Sequence, residues 1–194
     1  MYNGHIYEFS TRYFDEKYPF IIQDSRSNRG IPFADMERMV YGEKTLDCAV
    51  FKDVDILVRS KIRKFDVLRF GGSVLISEEA KTVLEGLNTV GVEYIPLKVN
   101  GASRYCVFAT MIVDCLDYSK SIVEYFPGNK NIERIPRYSF HHERLTDPLI
   151  FRIPEKKATY TFTAESVKKA VENSSLYGFY FLDYEDPPEQ EELL

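Results

Sequence analysis

His141-His142-Glu143 is the one place in this sequence where two imidazoles and a carboxylate stand together, the residue types that bind a metal or move a proton. Their spacing works against that chemistry. Adjacent side chains on a strand or loop point to opposite sides, so they do not converge on one ion as histidines four apart on a helix do. His5 is the only other histidine, and a third ligand would have to come from Asp147 or a cysteine. Cys106 with His141, or Cys115 with His142, would supply a thiol and a base. Both cysteines sit in apolar, strand-like context and read instead as buried structural thiols. Phe70-Gly-Gly-Ser-Val precedes a helix, as phosphate loops do, but it lacks their further glycines and the Lys-Ser/Thr pair. That helix opens on Ser77-Glu78-Glu79, whose charge repels phosphate, so the glycines read as a plain turn. Arg59, Lys61, Arg63, Lys64 and Arg69, with Phe65 and Phe70 nearby, are the most basic cluster. Asp53, Asp55 and Asp66 dilute it, and no RNA-binding aromatic motif accompanies it. The expected catalytic, cofactor and metal residues are therefore none, and the partner-binding residues are unassigned.

Composition narrows the class further. A chain of 194 residues with 44% hydrophobic and 28% charged residues can bury a real core. Its 14 Tyr and 14 Phe, with no Trp, favour β-rich structure. A net charge of −5 argues against a general nucleic-acid binder and suits a basic protein partner. Met1 to Ser10 has no basic segment followed by an apolar stretch, and no window is apolar enough for a membrane span. Cys48, Cys106 and Cys115 are odd in number and lack metal-site spacing, as expected of reduced thiols in a cytoplasmic protein.

The elements are clearest after Phe65. Before it, Tyr2 to Phe9, Pro19 to Ile22 and Asp53 to Val58 are strand-like, and Ala34 to Tyr41 is a short helix. Phe65 to Phe70 predicts a strand. Ser77 is an N-cap with acids in the first turn, and Ala80, Val83, Leu84 and Leu87 define one buried helical face. Gly91 ends that helix unit, and Val92 to Val99 runs on as a strand in which Pro96 marks an edge or bulge. The same grammar returns with Tyr160 to Phe162, Thr163 as N-cap, the face Val167, Ala170, Val171 and Ser174, then Gly178 and the strand Phe179 to Leu182. An offset of 87 carries Ala80 onto Val167 and Gly91 onto Gly178. Duplication and a shared supersecondary grammar explain this echo equally well. Between the two units, Arg104 to Asp114, Lys120 to Phe126, Ile132 to Phe140 and Leu149 to Ile153 predict an all-β middle. The fold class expected is α+β, with mixed, mostly antiparallel sheets and two or three packed helices. Residues 1–64 form a variable N-terminal part with the potential to be a small subdomain, 65–184 the main α+β domain, and 185–194 an acidic flexible tail. The acidic run itself begins at Asp183, and Pro187-Pro188 stops any helix or central strand in it.

From Ile76 to Phe181 the sequence resembles a known family. The carriers are Ile76-Ser-Glu-Glu-Ala-Lys-Thr-Val-Leu-Glu, Gly91-Val-Glu-Tyr-Ile-Pro-Leu97, Val113-Asp-Cys-Leu-Asp117, Leu149-Ile-Phe-Arg152, the Thr163-Ala-Glu-Ser-Val-Lys-Lys-Ala-Val helix and Tyr177-Gly-Phe-Tyr-Phe181. In that order they are similar to immunity proteins of bacterial polymorphic toxin systems, the family typified by a Myxococcus immunity protein. The resemblance implies no catalysis. It also implies a cognate secreted toxin, often a nuclease, encoded by a neighbouring gene and neutralised by direct contact. The reading that competes is a small enzyme or ligand-binding domain using His141 or His142 in a cleft. Oligomeric state, a homodimer included, is not fixed by these residues.

Overall fold

The computed structural model describes residues 2, 4–11, 55–56, 65–70, 73–156 and 161–185. The expected elements at Pro19 to Ile22 and Ala34 to Tyr41, the run Arg59 to Lys64, Gly71-Gly72 and Cys48 lie outside them. In chain order the strands are β1 (Ile6–Thr11), β2 (Asp55–Ile56), β3 (Val67–Phe70), β4 (Ser73–Ile76), β5 (Val92–Val99), β6 (Ala102–Ala109), β7 (Ile122–Tyr125), β8 (Ile132–Arg137), β9 (Ile150–Phe151), β10 (Phe162–Ala164) and β11 (Phe179–Asp183). Helices α1 (Glu78–Gly86) and α2 (Glu165–Glu172) pack on each other. The strands form a sheet ordered β11-β1-β10-β9, a second ordered β2-β5-β6-β4-β3, and the hairpin β7-β8. Every strand pair is antiparallel except β2 with β5, so the chain is an α+β fold of mixed, mostly antiparallel sheets.

Local chemistry explains α1 well. Ser77 Oγ accepts the Ala80 N–H at 3.1 Å and donates to Asp66 Oδ1 at 2.8 Å, so the cap is itself held by a buried carboxylate. Ala80 and Leu84 are fully buried, while Lys81 and Glu85 pair on the outer side. The α2 cap differs from expectation. Thr163 Oγ1 donates instead to Leu149 O, and Ala164 occupies the cap position with no side chain to offer. The missing acceptor comes from the far end of the chain, where Tyr2 Oη accepts the Glu165 N–H at 2.7 Å and donates to His5 O at 2.6 Å. Sequence reading looks for caps beside the helix and so misses this one.

The two helical units share more than grammar. In the first, β4 and β5 flank β6; in the second, β10 and β11 flank β1. Tyr105 of β6 stands opposite Ile76 and Pro96. Tyr7 of β1 stands opposite Thr163 and Asp183, each 87 positions further on. Val107 opposite Tyr94 is matched in the same way by Phe9 opposite Phe181. Each unit is a split strand–helix–strand crossover with an antiparallel strand inserted in the same register. The inserted strand follows the first unit in sequence and precedes the second. Gly91 (φ +78°) and Gly178 (φ +102°) make the equivalent return from helix to strand in the left-handed region.

Two cores result. Phe9, Val67, Ile76, Ala80, Leu84, Val107, Ile150, Val167 and Val171 fill the space between helices and sheets. Ile6, Phe151, Phe162 and Ala164 face the other way, against Leu116, Tyr138, Phe140, Leu145 and Leu149. β1 therefore feeds both cores, Ile6 one and Phe9 the other, as the period-two pleat requires. This strand of the N-terminal part belongs to the same sheet as β9 to β11.

Candidate interaction surface

The histidines are taken up by separate partners. The His141 N–H donates to Cys115 O at 2.7 Å, and its Nδ1 lies 3.1 Å from Glu143 Oε1. His142 begins the short 3-10 turn His142–Arg144, and its Nε2 lies 2.8 Å from Glu185 Oε1. Its ring stacks on Tyr2 at 5.7 Å with planes 6° apart. His5 Nδ1 lies 2.9 Å from Asp183 Oδ2. Among the described residues no three His, Cys, Asp or Glu side chains are grouped to hold a metal ion.

His142 with Glu185 and His5 with Asp183 tie the first and last described segments together. Glu185 also accepts the Ile6 N–H through Oε2 at 3.3 Å, and its own N–H donates to Asp183 Oδ1 at 3.0 Å. Asp183 is a residue of β11. The acidic run thus starts inside the sheet, and Glu185, placed in the tail on sequence grounds, is anchored.

The Cys106 and Cys115 thiols are buried and poorly ionisable. Burial pushes Cys106 up to about 11, and its thiol donates to Ser73 Oγ at 3.7 Å. Burial, with the Glu155 and Asp114 carboxylates, pushes Cys115 up to about 12. Neither sulfur has a histidine ring as a hydrogen-bond partner among the described residues; Cys115 meets His141 through the backbone. Ser73 opens β4 opposite Phe70, and its hydroxyl donates to Val107 O.

Several large apolar side chains stand exposed among the described residues. Val90, Met111, Ile112, Tyr118, Ile122, Tyr125, Phe126 and Tyr177 are 41% to 54% exposed. Four of them fall in and around β7, where Tyr118 Oη donates to Glu155 Oε1 at 2.7 Å. An open cleft of about 490 Å³ lies elsewhere, between α2 and β11. Isolated exposed apolar residues are ordinary, but clusters of aromatic ones suit protein contact. The aromatic excess is plain in the sequence but its location is not, because burial along β11 depends on β1, a partner strand far away in the chain.

The immunity protein family Imm11 matches residues 10–186. The chain belongs to this family. No curated protein matches it. The Imm11 match extends the resemblance seen from Ile76 to Phe181 in both directions, and it includes most of the N-terminal third that carried no recognisable pattern. No helix among the described residues of this Imm11 protein is long and apolar enough to cross a membrane.

Proposed function

We propose that this Imm11 protein binds a cognate secreted bacterial toxin, encoded by a neighbouring gene, and neutralises it in the producer's cytoplasm by direct contact. The family match across residues 10–186 carries the reading. Exposed tyrosines and phenylalanines and a net charge of −5 support it, as anchors and as attraction for a basic toxin such as a nuclease. In this reading residues 65–184 are the immunity-type body, 1–64 the variable N-terminal part, and 185–194 an acidic tail that aids encounter. No catalytic group is required of the chain. Co-expression with the toxin from the adjacent gene tests it: growth is expected to be restored, and restoration should track formation of a complex. Death of the co-expressing cells despite soluble Imm11 protein would reject the proposal.

A further inference from the structure

The register match between the two helical units supplies an internal control for what the fold itself needs. At equivalent positions the lysines agree: Lys81 lies over the Tyr105 ring at 4.9 Å, and Lys168 over the Tyr7 ring at 4.1 Å. Each is also near a glutamate one turn on, Glu85 at 3.0 Å and Glu172 at 3.8 Å. The strands leading away from the helices do not agree. Where the first unit has Val90 and Val92, the second has Tyr177 and Phe179. A return from helix to strand at this place is thus built without aromatic rings.

The added rings line the cleft of about 490 Å³ between α2 and β11, with Lys168 and Glu172 on its helical wall. Tyr177 stacks one face on Phe65 at 5.4 Å yet keeps 54% exposure. Lys168 of that wall reaches over Tyr7, around which acids gather. Burial raises the Tyr7 hydroxyl to about 12, and Asp183, Glu165, Glu172 and Glu185 all add to that rise. The nearby lysines are already engaged: Lys168 with Glu172 and Tyr7, and Lys169 with Glu165 at 2.8 Å.

We infer that the cleft between α2 and β11 is the surface that receives the toxin, taking an arginine of a basic toxin face between the Tyr177 and Phe179 rings and the Glu172 carboxylate. The inference rests on the toxin-binding reading above and deepens it. Arginine fits because its flat guanidinium stacks on aromatic faces, its stem is apolar, and its charge meets the acidic rim. The acids around the cleft steer a cationic surface toward it, so association should slow as salt rises.

The test uses the full chain and the toxin domain of the adjacent gene, inactivated at its own catalytic residue. Tyr177→Ala and Glu172→Arg are each expected to weaken binding roughly tenfold or more. Glu172→Arg should act mainly on the association rate and at low salt. Tyr125→Ala and Phe126→Ala, on the exposed β7 hairpin, should leave affinity unchanged. Glu172 is an exposed residue at the end of α2, so its variant keeps the fold even if Tyr177→Ala does not. Affinity within twofold of wild type for folded Glu172→Arg and Tyr177→Ala overturns the inference, as does a loss confined to the β7 variants. A wild-type chain that does not bind the toxin removes the toxin reading itself, and this inference with it.

Discussion

At the residue scale the most consequential group is the hydroxyl of Tyr2, which supplies the α2 cap that the local sequence lacks. Tyr2→Phe keeps the ring stacked on His142 and removes only that hydroxyl. It should cost ~1–2 kcal/mol in urea unfolding, the usual worth of a helix cap or a buried hydrogen bond. The same residue sets a pH dependence. Burial raises Tyr2, and likewise Tyr7, from 10.0 to about 12, so the native state holds these protons more tightly than the unfolded chain. The associated stability is fully present below pH 10 and is lost as pH rises through about 12. Tyr2→Phe should therefore flatten the alkaline limb of a stability–pH profile; an unchanged limb would mean that Tyr2 is not the residue titrating. His141→Ala with His142→Ala should cost ~0–1 kcal/mol for each lost surface pair and leave protection from the toxin intact. Loss of protection with the fold preserved would bring back a cleft-and-histidine reading.

At the scale of elements, the two helices carry the interior between the sheets. Leu84→Ala and Val171→Ala each empty part of that core and should cost ~1–5 kcal/mol, read as a fall in melting temperature. The two return glycines make a sharper comparison. A Cβ at Gly91 would press into Ile150 O, a backbone atom that cannot swing aside. A Cβ at Gly178 would meet Phe65 Cδ1 at 3.2 Å and Val67 Cγ1 at 3.3 Å, both side-chain atoms. Either alanine strains a positive φ by ~1–3 kcal/mol, so Gly91→Ala should be clearly the worse of the two. Equal losses would show that the Ile150 contact does not matter. Much of this level was legible in the sequence. The Ser77 cap, the faces Ala80–Leu84 and Val167–Val171, both glycines and the strand Val92 to Val99 are written in local spacing and turn chemistry. Thr163 misled, because a hydroxyl before a helix is read as a cap, whereas here a carbonyl across the sheet takes it. The insertion of β1 between β10 and β11 was not legible either, since antiparallel partners more than 150 residues apart leave no periodicity to detect. The candidate cleft was hidden for the same reason, although the 87-residue echo already pointed to the two units that define it.

At the scale of the whole molecule, the first and last described segments of the chain meet on one sheet. His5 with Asp183, and Glu185 with both His142 and the Ile6 N–H, close that junction. Truncation after Glu185 should leave the fold unchanged and slow toxin association modestly at low salt, with little effect on dissociation. Truncation after Tyr184 should in addition cost ~1 kcal/mol, because the carboxylate at this junction is lost. A dissociation rate that climbs by orders of magnitude when the chain ends at Glu185 would instead make the tail the anchor. In the proposed function, protection comes from contact and not from turnover. The most direct measurement of this is a titration of toxin activity against increasing amounts of the purified chain. A contact inhibitor gives a sharp end point at one chain per toxin domain, with a complex of Kd ~10⁻⁹ M or tighter. Complete neutralisation by a small fraction of an equivalent, with no lasting complex, would contradict it and make the chain an enzyme.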